Sequence, residues 1–322
     1  MNSGLILFNK PPGITSFDAL RDIKRALGTG KVGHTGTLDK FACGLLIVLV
    51  GKALRLSRWF THCDKKYIGK IRFGEETDTL DPEGKIIAQA ELPSREDVES
   101  ILSQFTGSIM QAPPAFSAIH INGKRASDLS RGGKEVEMKK REVTIYKLDL
   151  LSWEPPFAEI FVHCSSGTYI RSLARDIALG AGSRAHLVEL KRTHVGGFCI
   201  EEKNHGVLQP RLLGAHGEEK KERDFSLQVI NKTVINSLGM LWFEVNANEK
   251  REILQGKPLD RILEIKTLNS SVYSSEPMVR CSVVNSSLDQ VAAVFEGEEL
   301  IAIIEKNGLN AALNWKYACV LG

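Results

Sequence analysis

The chain has 322 residues, of which 43% are hydrophobic and 25% charged, and its formal net charge at pH 7 is +3. This length exceeds what one typical hydrophobic core supports, so the sequence predicts two domains. No segment approaches the roughly 20 consecutive apolar residues of a membrane span, and residues 1–10 lack the pattern of a secretory signal. We therefore expect a cytoplasmic protein that does not associate with a membrane.

Positive charge is concentrated near the start of the chain. Residues 1–70 contain 12 Lys or Arg and 4 Asp or Glu, whereas residues 71–322 contain 30 and 35. This asymmetry favours an anionic partner for the first segment, although a solvated basic surface gives the same pattern. The six cysteines are scattered and form no zinc, redox or disulfide pattern, so we expect reduced, mostly buried thiols.

The first elements in chain order are a strand at residues 4–8, a turn and a helix. Thr15 and Asp18 predict a capping box at the start of this helix, and Gly28 predicts its end. Its apolar face is expected to consist of Phe17, Leu20, Ile23 and Leu27.

A glycine-rich loop at residues 28–44 then leads into a strand at 45–50 that reads as buried on both faces. Asp39 lies in this loop, next to a core strand. Catalytic groups are often placed in this way, on loops that a rigid scaffold positions. A half-buried strand is expected around residues 67–73, where apolar and polar residues alternate.

The rest of the chain alternates strands and helices irregularly. The expected elements are an acidic turn segment at 74–84, a helix from Ser94 to Gly107, a basic excursion at about 111–141, strands at about 142–152 and 158–165, and a helix at 168–178. Short strands at 241–245, 291–295 and 300–304 and a surface loop at 269–287 follow. This order predicts an α+β fold with a mixed, mainly antiparallel sheet flanked by helices. The polar segment 204–224 is the expected linker between domains at 1–225 and 226–322.

The densest chemical signal is residues 33–39, Gly-His-Thr-Gly-Thr-Leu-Asp. Taken alone, Asp39 is more often a turn former than a catalyst, and one His with one Asp is too small a set for a metal site. The sequence contains no P-loop, dinucleotide fingerprint or zinc-protease motif. We therefore expect neither a cofactor nor a metal.

Several short motifs resemble, in the same order, those of the TruB family of tRNA pseudouridine synthases. They are residues 9–13 (NKPPG), 33–39 (GHTGTLD), 66–67 (KY), 167–171 (GTYIR) and 190–192 (LKR). Residues 74–79 and 117–124 match the family as well, so the resemblance covers about residues 3–200 and, more loosely, the C-terminal part. It implies the pseudouridine synthase fold, followed by a small β-rich domain similar to PUA domains.

The resemblance also implies an isomerase that converts uridine 55 in the T-arm of tRNA into pseudouridine. The catalytic residues would be Asp39, Tyr67 and Arg171. The substrate-binding residues would be His34, Tyr169, Leu190, Lys10, Pro11, Lys191 and Arg192. Within this set, Tyr67 would stack on the flipped base, Arg171 would pair with Asp39, and Leu190 would line the uracil pocket. His34 would fill the gap left by the base. Lys10 and Pro11 would brace the catalytic loop, and Lys191 and Arg192 would hold phosphates.

The sequence leaves several alternatives open. Asp39 can attack the sugar, attack the uracil ring or take a sugar proton. A tRNA-binding folding chaperone with dispensable catalysis, a guide-RNA-dependent pseudouridine synthase and a metabolic enzyme with a carboxylate nucleophile are the competing functions. The expected partner is tRNA, with no obligate protein partner and a monomeric state. Residues 226–322 are expected to contribute affinity by contacting tRNA outside the T-arm, without chemistry.

Overall fold

The structure is a computed structural model and describes residues 3–121, 123–133, 136–200, 227–259, 291–306 and 315–321. The predicted linker at 204–224 and the predicted surface loop at 269–287 lie outside these residues. The described strands are β1 Gly4–Lys10, β2 Val32–His34, β3 Cys43–Val50, β4 Lys65–Phe73, β5 Glu75–Thr77, β6 Ile86–Gln89, β7 Gly107–Gln111, β8 His120–Ile121, β9 Lys124–Arg125, β10 Arg141–Glu154, β11 Phe157–Cys164, β12 Ala185–Val195, β13 Phe198–Cys199, β14 Leu241–Glu244, β15 Val291–Glu296, β16 Glu299–Lys306 and β17 Trp315–Val320. The described helices are α1 Ser16–Leu27, α2 Ser57–His62, α3 Arg95–Leu102, α4 Ala126–Arg131, α5 Ile170–Gly180, α6 Lys232–Ser237 and α7 Ala247–Leu254, with short 3₁₀ turns at Gly51–Leu56 and Ser103–Phe105.

A nine-stranded sheet forms the larger part of the fold. Its main order is β1-β3-β12-β4-β11-β10-β7, with β2 paired to β3 and β13 paired to β12. Within it β12 runs parallel to β3, and the other described pairs are antiparallel. A second, four-stranded sheet has the order β14-β15-β16-β17. The predicted mixed, mainly antiparallel α+β class is therefore confirmed.

Helix α1 follows the local signals of its sequence. The Thr15 side chain accepts a hydrogen bond from the Asp18 N–H, and the Asp18 carboxylate accepts one from the Thr15 N–H, which together make a capping box. Gly28 ends the helix with φ = 61°, a conformation that costs glycine no steric strain. The predicted start and end of the helix are confirmed, but Phe17 was wrongly placed on its apolar face, because its side chain is exposed.

Two other elements differ from the sequence-based expectation. Helix α5 begins at Ile170, with Tyr169 as its N-cap, so it starts two residues later than the predicted Thr168. Strand β12 was not predicted, although it lies at the centre of the sheet between β3 and β4. Of the helices that the structure describes, none is both long and apolar enough to cross a bilayer.

Strands β1 and β3 are buried on both faces because their alternate residues enter two different cores. One apolar cluster joins the sheet to helices α1, α3 and α5. A second cluster joins the opposite face of β1 and β3 to residues 230–240 and to the C-terminal sheet. The loop that carries Asp39 enters β3, so it is anchored to a strand in which every residue after Cys43 is buried.

Candidate active site

The loop that carries Asp39 is braced by a buried lysine. Lys10 has no exposed surface, and its Nζ donates hydrogen bonds to the carbonyls of Pro11 (2.9 Å), Ile14 (2.8 Å) and Lys40 (3.4 Å). Burial lowers the pKa of Lys10 to about 8. These contacts fit the bracing role that the sequence suggested for Lys10 and Pro11.

A second clamp joins helix α1 to the residue before Asp39. The Ser16 hydroxyl donates to the Leu38 carbonyl at 3.1 Å and accepts a hydrogen bond from the Leu38 N–H at 2.9 Å. Ser16 is the first residue of α1, and the capping box fixes the helix at this point. The position of Asp39 therefore depends on α1 as well as on β3.

Arg192 was expected to hold phosphates, but its side chain is only 3% exposed and is not placed to do so. Its Nε donates to the Leu45 carbonyl at 2.8 Å and one terminal nitrogen donates to the Gly36 carbonyl at 3.1 Å. The guanidinium also hydrogen-bonds the Tyr67 side chain. Arg192 thus ties the loop that carries Asp39 to β3 and β4, whereas Lys191 is half-buried and remains a candidate for phosphate contact.

The Arg171 guanidinium lies between two carboxylates, with its side chain 5% exposed. Its Nε lies 2.9 Å from one oxygen of Asp39 as an ion-pair contact, and Nη2 donates a hydrogen bond to the other oxygen at 3.3 Å. Nη1 lies 3.1 Å from the Asp81 carboxylate and donates to the Thr79 carbonyl at 2.7 Å. Nη2 also donates to the Phe116 carbonyl at 3.0 Å. Because these contacts come from several directions, the guanidinium has little freedom to move away from Asp39.

Asp39 is accessible and yet electrostatically perturbed. Its side chain is 37% exposed, so a substrate can reach the carboxylate. Burial nevertheless raises the pKa of Asp39 above its ordinary value of 3.8, and the charge of Asp81 acts in the same direction. The Arg171 guanidinium opposes both effects and favours the ionised form.

Tyr67 and Leu190 belong to the apolar core on which the Asp39 loop rests. Tyr67 on β4 and Leu190 on β12 are 8% and 7% exposed, and both belong to the cluster that also contains Leu38. Burial raises the pKa of Tyr67 to about 12, and the charge of Asp39 adds to the effect, which places the phenol near the carboxylate. The phenol therefore keeps its proton at neutral pH.

Tyr169 is fixed just ahead of Arg171 by residues from both ends of the basic excursion. The Gln111 amide accepts from the Tyr169 N–H at 2.8 Å and donates to its carbonyl at 3.1 Å. The Arg141 guanidinium lies 5.1 Å from the centre of the Tyr169 ring and donates to the Gly167 carbonyl at 2.8 Å. The excursion therefore begins and ends against the segment that opens α5.

His34 ends the short strand β2, on the same loop as Asp39. Burial lowers its pKa from the ordinary 6.5, and the charge of Arg192 acts in the same direction, so the ring is neutral at pH 7. Its Nδ1 is buried and, within the part of the chain that the structure describes, has no hydrogen-bond partner. His34 therefore adds a neutral ring, not a positive charge, at the start of the loop that carries Asp39.

The sequence reasoning missed three residues that shape this site. Asp81 lies in the acidic turn segment at 74–84, to which the sequence analysis assigned no chemical role. Gln111 and Arg141 lie at the two ends of the excursion, and no local pattern marks them as partners of Tyr169. The only available signal for Asp81 was an acidic residue within a turn segment that resembles the family.

Comparisons with known proteins point to one family. Residues 24–170 match the family model described as TruB family pseudouridylate synthase (N terminal domain). A protein of Borreliella afzelii named tRNA pseudouridine synthase B is 47% identical, over 85% of this chain and 98% of that protein. A protein of the same name from Treponema denticola is 40% identical, over 74% of this chain and 77% of its own length. Among solved structures, a Cbf5–Nop10–Gar1 complex includes a chain with a TM-score of 0.65 at 20% identity, covering 99% of this chain and 85% of that chain.

The fold and the match together define a pseudouridylate synthase, an isomerase that turns uridine into pseudouridine. Within that class, the chain belongs to the TruB family, because a relative of that family is 47% identical over nearly its whole length.

Proposed function

We propose that the chain converts uridine 55 in the T-arm of tRNA into pseudouridine, with Asp39 as the catalytic carboxylate. The observation that carries the proposal is the accessible Asp39 carboxylate, held at both oxygens by the buried Arg171 fork. The relatives named tRNA pseudouridine synthase B support tRNA as the substrate.

The reaction needs one well-placed carboxylate. The glycosidic bond between C1′ and N1 of uridine breaks, the uracil turns, and a bond forms between C1′ and C5, while C5 loses a proton and N1 gains one. Asp39 contributes by bonding covalently to the sugar or to the ring, or by taking a sugar proton. In each case the carboxylate must be ionised, and Arg171 favours that form and orients it.

The uridine must leave its stack to reach Asp39, at a cost of a few kcal/mol. Tyr67 offers an aromatic face for the flipped uracil, and stacking returns about 1–3 kcal/mol per base. Leu190 forms the apolar wall on the neighbouring strand. His34 fills the space that the base leaves, and Tyr169 lies at the edge of the pocket.

Other parts of the chain add affinity for the tRNA backbone. Lys191 and the cations of the basic excursion contact phosphates without reading sequence. Residues 226–322, which we treat as a PUA-like domain, contact tRNA outside the T-arm, and no catalytic role is assigned to them. The basic balance of residues 1–70 suits the same anionic partner.

The test is the substitution Asp39→Asn in the full-length chain. Asn keeps the shape of Asp but can act neither as a nucleophile nor as a base, so we expect pseudouridine formation to be abolished and tRNA binding to stay within a few fold. Pseudouridine in tRNA is measured by carbodiimide labelling after incubation with the purified protein. Binding is measured in parallel.

A matched control removes a carboxylate elsewhere on the same sheet. Asp149 on β10 pairs with Lys147 at the surface, 3.0 Å away, so Asp149→Asn should leave activity and binding unchanged. If Asp39→Asn retains even a tenth of the wild-type rate, Asp39 is not the catalytic group. If the wild-type protein makes no pseudouridine but binds tRNA tightly, the chain acts as a tRNA-binding chaperone.

A further inference from the structure

Phe17 is an exposed aromatic side chain in the first turn of α1. Its exposure is 68%, although the neighbouring Ser16, Ala19 and Leu20 are buried. Within residues 3–85, all of which the structure describes, it is the only large apolar side chain exposed to this degree. A single exposed apolar residue is common on protein surfaces, so its meaning depends on where it lies and on what surrounds it.

The location of Phe17 is fixed relative to the catalytic carboxylate. Phe17 follows Ser16, and Asp39 follows Leu38, the residue to which the Ser16 hydroxyl is clamped by two hydrogen bonds. The Gly13 N–H also donates to the carbonyl of the residue after Asp39 at 2.8 Å. The first turn of α1 and the loop that carries Asp39 are therefore joined directly, and Phe17 is the next residue along the chain from this junction.

One cation lies over this ring, and two others contact or influence the adjacent Asp18. The Lys24 ammonium lies 5.8 Å from the ring centre. Arg21 and Lys40 have side chains that are 60% and 53% exposed, and the charge of Lys40 reaches the Asp18 carboxylate on the same helix turn.

The acidic groups beside these cations do not cancel them. Arg21 pairs with Asp18 at 3.4 Å, Lys40 pairs with Glu83 at 3.5 Å, and Asp22 is engaged by Arg25 at 3.7 Å. Exposed pairs of this kind are worth little and exchange readily, so the cations stay available to an anionic ligand.

We propose that Phe17 is a stacking platform for an unpaired base of the RNA substrate, next to the flipped uridine, with Lys24 and Lys40 neutralising the phosphates on either side of that base. The inference rests on the proposed function, because it needs an RNA that reaches Asp39. An aromatic ring that stands alone among cations suits a nucleobase, whose π-face stacks on it while its phosphate meets the charges. A protein partner would require a wider apolar patch than one side chain.

The experiment compares three substitutions on a T-arm stem-loop RNA. Phe17→Ala and Phe17→Leu remove the aromatic face, and we expect each to raise KM about tenfold with kcat within about twofold, because stacking on an aromatic side chain contributes to binding rather than to bond rearrangement. Phe17→Tyr keeps the ring and should behave as wild type. Because Phe17 is exposed, all three variants should melt like the wild type.

Leu151→Ala is the matched control, since Leu151 on β10 is 51% exposed and should leave KM unchanged. Stem-loops that carry 2-aminopurine at single loop positions identify the base, whose fluorescence should be quenched in the wild-type complex and recover in Phe17→Ala. An unchanged KM in Phe17→Ala, or a wild-type KM in Phe17→Leu, overturns the platform. The proposed function fails in a different way, since the wild-type protein itself would then make no pseudouridine.

Discussion

At the scale of single residues, the proposed chemistry depends on the charge of one carboxylate, Asp39, on which neighbouring groups act in opposite directions. Burial and the neighbouring Asp81 favour a protonated Asp39, whereas Arg171 favours the ionised form. The balance raises the pKa of Asp39, so the carboxylate is more basic than that of an ordinary aspartate. A more basic carboxylate suits the proposed role, in which Asp39 attacks carbon or takes a proton.

The rate of pseudouridine formation should therefore fall as the pH is lowered. The fall should begin at a higher pH than for an aspartate with the ordinary pKa of 3.8. Below its pKa Asp39 is protonated and inactive, and above it the carboxylate is active, so the rate rises with pH and then levels off. Single-turnover rates at saturating enzyme between pH 4.5 and 8.5 measure this rise of the rate with pH. Melts at each pH separate inactivation from unfolding.

Tyr67 gives the same experiment an internal check. Its pKa of about 12 keeps the phenol protonated throughout this range, so Tyr67 should add no second ionisation below about pH 10. A rate that rises as the pH falls, in protein that stays folded, would mean that the ionised Asp39 carboxylate is not the active form.

At the scale of elements, the site depends on a close approach between β3 and β12. Their parallel register pairs Gly44 with Arg192, and Gly44 adopts φ = 106°. A Cβ at Gly44 would lie 2.3 Å from the Arg192 carbonyl oxygen and 2.8 Å from its nitrogen. Glycine is required here because both the backbone conformation and the space exclude a side chain.

Gly44→Ala should therefore separate β3 from β12 and move the loop that carries Asp39. We expect the free energy of unfolding to fall by about 3 kcal/mol and activity to fall with it, since strain and overpacking act together. Chemical denaturation measures the first effect and carbodiimide labelling the second. Gly30→Ala is the control, because Gly30 lies in the same loop region with open space around it, and it should be neutral. Equal stability of both variants would contradict the close approach.

The elements that were predicted correctly from the sequence are determined by interactions between residues that are close together in the chain. Helix α1 was predicted from the Thr15–Asp18 capping box and Gly28, which act within a few residues of one another. Strand β4 was predicted from alternation, and its observed burial alternates without exception. In both cases the deciding interactions are short-range, so the local pattern contains them.

The central strand β12 was missed because its pattern is set by distant partners. Its sequence AHLVELKRTHV contains basic residues that read as solvated, yet His186 and Arg192 are buried. Arg192 is tolerated there because carbonyls of Leu45 and Gly36, far away in sequence, satisfy its donors. The family resemblance predicted the pairing of Arg171 with Asp39. No sequence pattern indicated Asp81 or the backbone carbonyls that complete the hydrogen-bond network around Arg171, because these partners are distant in sequence.

At the scale of the whole molecule, the two parts of the chain share a hydrophobic core. The shared cluster includes, from the large sheet and its neighbours, Leu5, Leu7, Leu45, Ile47, Leu49, Trp59, Phe60 and Phe198 and, from the C-terminal part, Ile230, Val234, Ile235, Leu238, Met240, Val291, Phe295 and Ile303. Backbone hydrogen bonds of 2.8 and 2.9 Å also join Leu5 to Gln228. The domain division at residue 225 stays a prediction, but the shared core changes what a cut at that position would do.

Truncation after residue 225 should prevent cooperative folding of what remains. The sequence alone suggested that such a cut would raise KM for whole tRNA and largely spare kcat, as loss of a separable binding domain would. The structure leads us to expect otherwise, because the cut uncovers one whole face of β1 and β3, and burial of each large apolar side chain contributes about 1.5–3 kcal/mol. Circular dichroism and calorimetry of the truncated protein measure the effect. A cooperative melt with kcat near wild type would show that residues 1–225 fold independently.

Phe295→Ala in the full-length chain tests the same coupling without a cut. Phe295 is fully buried in the shared cluster, and its truncation should cost about 3–5 kcal/mol. If the two parts unfold together, this change in the C-terminal sheet lowers the temperature at which activity is lost by as much as it lowers the melting temperature. If they unfold separately, two transitions appear, and activity persists through the first on a stem-loop RNA. We expect one transition. If the C-terminal sheet unfolded alone, Leu5, Ile47 and Leu49 would be exposed to water, and β1 and β3, which anchor the Asp39 loop, would lose their packing.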